Sequence, residues 1–301
     1  MIQQLLTFIT VAQHRNFTRA AEHLHTTQPA VSQQIQTLER TLGAQLFERT
    51  NRSVELNQAG RVVYDYAKQI IDLYNHMTRV VDDMIHDESG VLRIGASFTF
   101  GEYILPQLLA GFVARYPRIT PSVSINNTRD VVDHVGLGLL DIGIVEGHYV
   151  NDKVSVEHLA DDMVFVIGSS RWLNRVSADD RTRDRLEEQT WILREEGSGT
   201  REVQEHALAV MGIAPSSILE IGSTQSIKEC VEAGLGLTIL SEAVLRKEVH
   251  LGTLQILDWP GLPLRREFSI VMQKTSFHPQ STHLFKRFLQ ASDPVSSLSQ
   301  K

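Results

Sequence analysis

The residues best suited to recognition chemistry in this chain are uncharged. Pro29, Ser32, Gln33 and Gln36 recur about one helical turn apart, and with Thr27 and Gln28 before them they offer amides and hydroxyls without ion pairs. Such groups match the donors and acceptors that base edges present in a DNA major groove. Farther along, small hydroxyl residues gather at Ser97-Phe98-Thr99, Asn126-Asn127-Thr128, Gly197-Ser198-Gly199-Thr200 and Ser223-Thr224-Gln225. Each stretch lies where a strand-like run gives way to a helical one, a place where amides and hydroxyls take up small anions. Any one of them alone reads as an ordinary helix cap. Four together suggest a cleft for a carboxylate or small oxyanion, which Glu146, Glu195 and Glu196 would repel unless they face away or bind a donor group.

The polar face of residues 27–36 needs a helix to carry it. Val31, Ile35, Leu38 and Leu42 form one apolar stripe, Pro29 suits the first turn, and Thr27 or Gln28 caps it. Phe17, Ala20, Ala21 and Leu24 mark a shorter helix with Thr18 as its cap, and the small alanines let another helix approach closely. Joined by His25 to Gln28, the two make either a helix-turn-helix or a helical hairpin with a solvated outer face, and their own pattern leaves these about even. The next stretch, ERTNRSVEL, shifts the balance. It reads as a small β-hairpin, or wing, around a polar tip at 50–53, with Arg49 and Arg52 placed to enter a minor groove or meet phosphate.

These residues carry a family resemblance. F-x-x-V-A at Phe8 to Ala12, F-T-x-A-A at Phe17 to Ala21, T-Q-P-A-V-S-Q-Q-I at Thr27 to Ile35 and L-E-x-x-L-G-x-x-L-F-x-R at Leu38 to Arg49 resemble the winged helix-turn-helix of LysR-type transcriptional regulators. The resemblance in length and order extends over the whole chain. It implies that Gln28, Pro29, Ser32, Gln33 and Arg52 contact bases or grooves and that Thr18 and Arg19 lie near phosphate; Thr27, Gln36 and Arg49 complete the expected DNA face. Many members have arginine where this chain has Gln33, which implies a different base preference there. In the rest of the chain the resemblance carries ligand contact to Ser97, Thr99 and Thr200. With Thr128, Glu146, Ser198, Gly199 and Thr224 they make the expected effector set. The EEGSGTR wording at 195–201 resembles the branch that includes activators of sulfite-reductase and carbon-fixation genes.

From about Gln58, capped by Asn57, to His86 no proline occurs, and Val63, Tyr66, Ile70, Leu73, Met77, Val80 and Met84 alternate at three and four residues. This narrow seam favours a helix–helix dimer, although Tyr66 and the methionines leave packing against other parts of the molecule open. In the resembled family this helix is the linker that pairs two DNA-binding heads. After Gly90, β-branched runs at 92–97, 122–127, 140–145, 163–168, 191–194, 219–222, 237–240 and 268–273 alternate with helical stretches such as Tyr103 to Tyr116 and Thr224 to Ala233. That alternation argues for an α/β fold with largely parallel sheets. The resemblance divides it into two subdomains like those of periplasmic solute-binding proteins, with crossings near Asp161 and Glu267. The expected organisation is therefore a winged helix-turn-helix at 1–57, a linker and dimerisation helix at 58–88, an effector subdomain at 91–160 with 268–293, a second at 161–267, and a tail at 294–301.

Composition agrees. The 301 residues are 42% hydrophobic and carry a net charge of −7, but residues 1–61 hold six Lys/Arg against four Asp/Glu, so a mildly basic head joins an acidic body. No apolar run approaches the roughly 18 residues of a membrane span, and the N-terminus is amphipathic and not a cleavable signal, so a cytoplasmic protein is expected. Gly136-x-Gly138 and Gly234-x-Gly236 lead into strands and read as turns, not dinucleotide sites. Cys230 is the only cysteine, better read as a packed helix residue than as a redox sensor, and His23-x-His25 lacks further ligands nearby. No metal, cofactor or catalytic constellation is expected. The expectation is a DNA-binding regulator, not an enzyme, that binds an operator and a small anionic effector. It assembles as a dimer through the linker helix and, by the resemblance, as a tetramer, with RNA polymerase as a further partner. The alternative is a solute-binding protein or transport component with the same cleft.

Overall fold

The computed structural model describes residues 1–49, 54–85, 90–149, 151–175, 182–275 and 277–292, with the side chains at 49, 76, 79, 80 and 82–85 left aside. The expected wing tip at 50–53, the Arg49 and Arg52 side chains, the Val80 and Met84 seam positions and the tail at 294–301 lie outside that description. Two compact units result, residues 1–81 and 82–301.

The first unit opens with α1 (Ile2–His14), α2 (Phe17–His23) and α3 (Gln28–Leu42), continues through the strand pair β1 (Phe47–Arg49) and β2 (Val54–Leu56), and enters α4 (Gln58–Ile85). The apolar stripes read from sequence meet in one core: Phe8 and Val11 of α1, Ala20 and Ala21 of α2, and Val31, Ile35 and Leu38 of α3 are buried together with Leu46 and Phe47. The cap of α2 differs from expectation. Asn16, extended at φ −158°, accepts from the amides of Thr18 and Arg19, so Thr18 is the second residue inside the helix. Thr27 is the residue before α3, but its side chain makes no capping bond, and Pro29 sits in the first turn. Gly60 is required by close approach, because a Cβ there would overlap the Leu46 carbonyl oxygen. Ala67 and Ile71 of α4 join the buried core, while Tyr66, Ile70, Leu73 and Met77 stay exposed.

In the second unit, β3 (Gly90–Ser97), α5 (Phe98–Tyr103), α6 (Leu105–Arg115), β4 (Ile119–Asn126), α7 (Thr128–Gly136) and β5 (Ile142–Glu146) build one subdomain. The helix expected over Tyr103 to Tyr116 is α6, which starts two residues later at Leu105, and α5 precedes it across Ile104. Pro106, in the first turn of α6, has no amide to continue a ladder from α5. The chain then crosses along β6 (Val154–Ser169), 16 residues long. The second subdomain holds α8 (Ser170–Leu173), α9 (Arg183–Glu187), β7 (Thr190–Leu193), α10 (Gly199–Met211), β8 (Ser217–Glu220), α11 (Thr224–Glu232), β9 (Thr238–Ser241), α12 (Glu242–Leu251) and β10 (Leu254–Leu257). The chain returns along β11 (Leu264–Gln273) and ends the described part in α13 (Gln280–Ala291).

The main sheet runs β10-β6-β11-β5-β3-β4, with β9 also paired to β6. Only β3 with β4 and with β5 is parallel there, and the small β7–β8 sheet is also parallel; β6 and β11 pair antiparallel over ten residues. The sheets are thus mixed where largely parallel ones were expected, because both crossings enter the main sheet. Cys230 packs at the side of the second subdomain's core among Ile227, Val231 and Leu240.

Candidate functional site

On the first unit, α3 presents the polar face that its stripe leaves outward. Thr27, Gln28, Pro29, Gln33 and Gln36 are exposed, Ser32 is half-buried, and Thr18 and Arg19 of α2 are exposed as well. Gln28 Nε2 donates to Ser32 Oγ at 2.9 Å, which holds both side chains on one turn and keeps the Gln28 side-chain oxygen able to accept. Thr7 donates to Gln34 on the inward side of α3, a polar tie between α1 and α3 that keeps Gln34 off the exposed polar face.

In the second unit three of the four hydroxyl stretches meet at the ends of β3 and β5 and the starts of α5, α7 and α10. Ser97 ends β3 and donates to a Glu146 carboxylate oxygen at the end of β5. Thr128, the first residue of α7, donates to the Glu146 carbonyl at 2.8 Å and accepts from the Gly199 amide at 3.2 Å. Gly199 is there by necessity, since a Cβ would overlap that same carbonyl oxygen. Ser198 caps α10 by accepting from the Thr200 amide. Thr200 Oγ1 donates to Glu146 Oε1 at 3.1 Å, and it lies 3.5 Å from Thr99 Oγ1, which joins the two subdomains hydroxyl to hydroxyl.

Sequence reasoning missed the group at the centre. Arg266, on the returning strand β11, donates from Nη1 to Thr200 Oγ1 at 3.1 Å and from Nη2 to Thr99 Oγ1 at 3.2 Å. Its Nε donates to Asp162 Oδ2 at 2.7 Å, and Ser241 holds the other oxygen of Asp162 at 2.7 Å. Arg266, Asp162 and Glu146 are all buried. Thr224 stands apart from this cluster: its hydroxyl accepts from the buried Arg194 at 3.0 Å. Arg194 also lies 4.4 Å over the Phe98 ring of the other subdomain and makes a two-pronged pair with Glu195. Burial pushes the Glu195 carboxyl up, but the Arg194 hydrogen bonds and charge, with further hydrogen bonds from its own backbone and Asn127, together hold the acid below the usual carboxylate range.

Of the acids expected to repel an anion, Glu146 therefore points inward onto donors and Glu195 is taken by Arg194. Open volume lies beside the cluster, where a cavity of about 700 Å³ is lined by Val145, Tyr149, Val203, Val271 and Arg266, among others. On an exposed face of the crossing strands, ligand atoms of His158, Asp161 and Glu267 come within 4.8 Å of one another. The His158 hydrogen bond and then that of Arg265 hold Asp161 below the carboxylate range, so this acid is engaged by its neighbours.

A helix-turn-helix head followed by a long helix and two α/β subdomains joined by crossing strands is the architecture of an effector-controlled DNA-binding regulator. Two family profiles match the chain: the bacterial regulatory helix-turn-helix protein, lysR family, over residues 2–61, and the LysR substrate binding domain over residues 86–293. The chain belongs to the LysR family of transcriptional regulators. It is 34% identical to the transcriptional regulator CysL of Bacillus subtilis, over 95% of this chain and 96% of that one. It is 32% identical to the transcriptional activator CmpR of Synechocystis, over 99% and 98%. Full-length CbnR, solved in complex with its target DNA, has the same fold at a TM-score of 0.74, with 21% identity over 96% of this chain and 99% of that one. The regulatory domain of Synechocystis CcmR, solved in complex with 2-PG, matches 67% of this chain and 97% of its own at a TM-score of 0.60 and 25% identity. No described helix is long and apolar enough to cross a membrane.

Proposed function

We propose that this regulator is switched by a small anion, a carboxylate or small oxyanion, held between its two α/β subdomains by Ser97, Thr99, Thr128, Ser198, Gly199 and Thr200. The observation that carries the reading is the convergence of Thr99 and Thr200, from opposite subdomains, on the buried Arg266 guanidinium. A cation and hydroxyls shared across two subdomains are what an anion needs if its binding is to change their angle. CcmR, whose regulatory domain was solved with 2-PG, supports a small effector in this fold. A solute-binding role is not favoured, because residues 2–61 match the DNA-binding family.

Thr18, Arg19, Thr27, Gln28, Pro29, Ser32, Gln33 and Gln36, with Arg49 and Arg52 from the wing, form the proposed DNA face. The exposed row Tyr66, Ile70, Leu73 and Met77 on α4 supports a dimer through this helix, since apolar groups of that size on one face gain most from a second copy. Tetramer formation, contact with RNA polymerase and a cytoplasmic site of action follow the family reading, as does the division at 57, 88, 160, 267 and 293.

Calorimetry with candidate carboxylates and oxyanions tests the effector site. Thr200→Val removes one hydroxyl at nearly constant volume and Ser97→Ala removes another; each should weaken effector binding about 10- to 150-fold, the worth of one hydrogen bond to a charged ligand. An effector bound equally tightly by wild type and both variants would place the site elsewhere.

A further inference from the structure

We infer that the Glu146 carboxylate is a built-in competitor of the effector: it occupies the hydroxyl cradle of Ser97 and Thr200, and an anion binds by taking its place. The inference rests on reading the cleft as an anion site. Donor accounting leads to it. The single Ser97 hydroxyl proton goes to Glu146, and so does that of Thr200. Thr200 and Thr99 each accept from Arg266, whose Nη1 also lies 3.8 Å from Glu146 Oε1 and whose Nε is committed to Asp162. Ser97 and Thr200 thus have no proton left for a second carboxylate while Glu146 stays.

Charge leads to the same place. Among the described residues, this hydrogen-bonded cluster contains two carboxylates, Glu146 and Asp162, and one guanidinium, Arg266, all buried. An anion entering with Glu146 in position would be a third negative charge against one positive, and repulsion between buried like charges a few ångströms apart is strong. The Glu146 main chain is pinned, because Thr128 holds its carbonyl and Gly199 packs against it. The movable part is the side chain, which can leave the cradle without disturbing β5. A cradle that fits a carboxylate of the protein fits a group of the same size and charge on a ligand.

The test uses two probes, inorganic sulfate and acetate, titrated into full-length wild type, Glu146→Gln, Glu146→Ala and Glu146→Gln with Thr200→Val. Gln keeps the shape of Glu146 without its charge, and Ala removes both. Removing the charge should tighten binding of at least one probe roughly ten-fold or more, and adding Thr200→Val should abolish the gain. Binding unchanged by either Glu146 variant, or absent from all four proteins, overturns the inference. Weaker binding in Glu146→Gln overturns it too, since Glu146 would then receive a positively charged group of the ligand. A carboxylate that binds wild type in a Thr200-dependent way with no gain in Glu146→Gln would sink this inference and leave the effector reading standing.

Discussion

At the scale of single residues, the two proposed sites work by opposite means. The proposed α3 face would read with neutral groups: Gln33 is exposed and uncharged, so its loss should change which donors and acceptors are matched more than how strongly phosphate is held. Gln33→Ala should therefore shift the set of preferred sequences at one position of each half-site, whereas Arg19→Ala should weaken binding to nearly all sequences and lower its salt dependence. Sequencing bound fragments from a random pool, for both variants at two salt concentrations, separates these; identical preferences for wild type and Gln33→Ala would take Gln33 out of the reading face. The cleft, by contrast, is organised around one buried cation. Ser97, Thr99 and Thr200 were legible because small hydroxyl residues at strand-to-helix junctions are visible as types and positions. Arg266 was not: in the run LRREF nothing marks which arginine turns inward, and its partner Asp162 is 104 residues away in the chain.

At the scale of elements, α4 has one face that packs on the head and another that stays exposed. Its Ala67 and Ile71 bury against the head, and Tyr66, Ile70, Leu73 and Met77 are left on another face. Leu73 is more than half exposed (57%), so Leu73→Asp should cost the single chain little. In a dimer it would set two carboxylates together in an apolar contact and weaken pairing by several kcal/mol. Light scattering checks this: a halved mass for the variant is expected, and an unchanged mass would mean that the row does not pair. The seam itself was plain in the sequence because its spacing is periodic. Element breaks were less so. α6 starts at Leu105, two residues after the start read from the sequence, with Pro106 in its first turn, and the α2 cap fell on Asn16, two residues before the threonine that sequence favoured. In both cases the stripe located the helix and local backbone chemistry decided its end.

At the scale of the whole molecule, the order of the units was readable because the head carries a specific motif and the body carries alternating strands and helices. The mixed sheet was not, since β6 and β11 bring antiparallel pairing through long-range contacts that no local pattern encodes. A dimer with one reading helix per head requires an operator with two half-sites related by a dyad, roughly 34 Å or a multiple apart. The proposed control of DNA binding by an anion in the cleft is tested most plainly by measuring both ends at once. An operator is first selected from random DNA with the wild-type protein. Its affinity for wild type and for Thr200→Val is then measured across a panel of small carboxylates and oxyanions. At least one anion should change the affinity or footprint of wild type, with Thr200→Val responding only at much higher concentrations. Equal operator binding with every anion, or a variant that responds just as wild type does, would contradict the account.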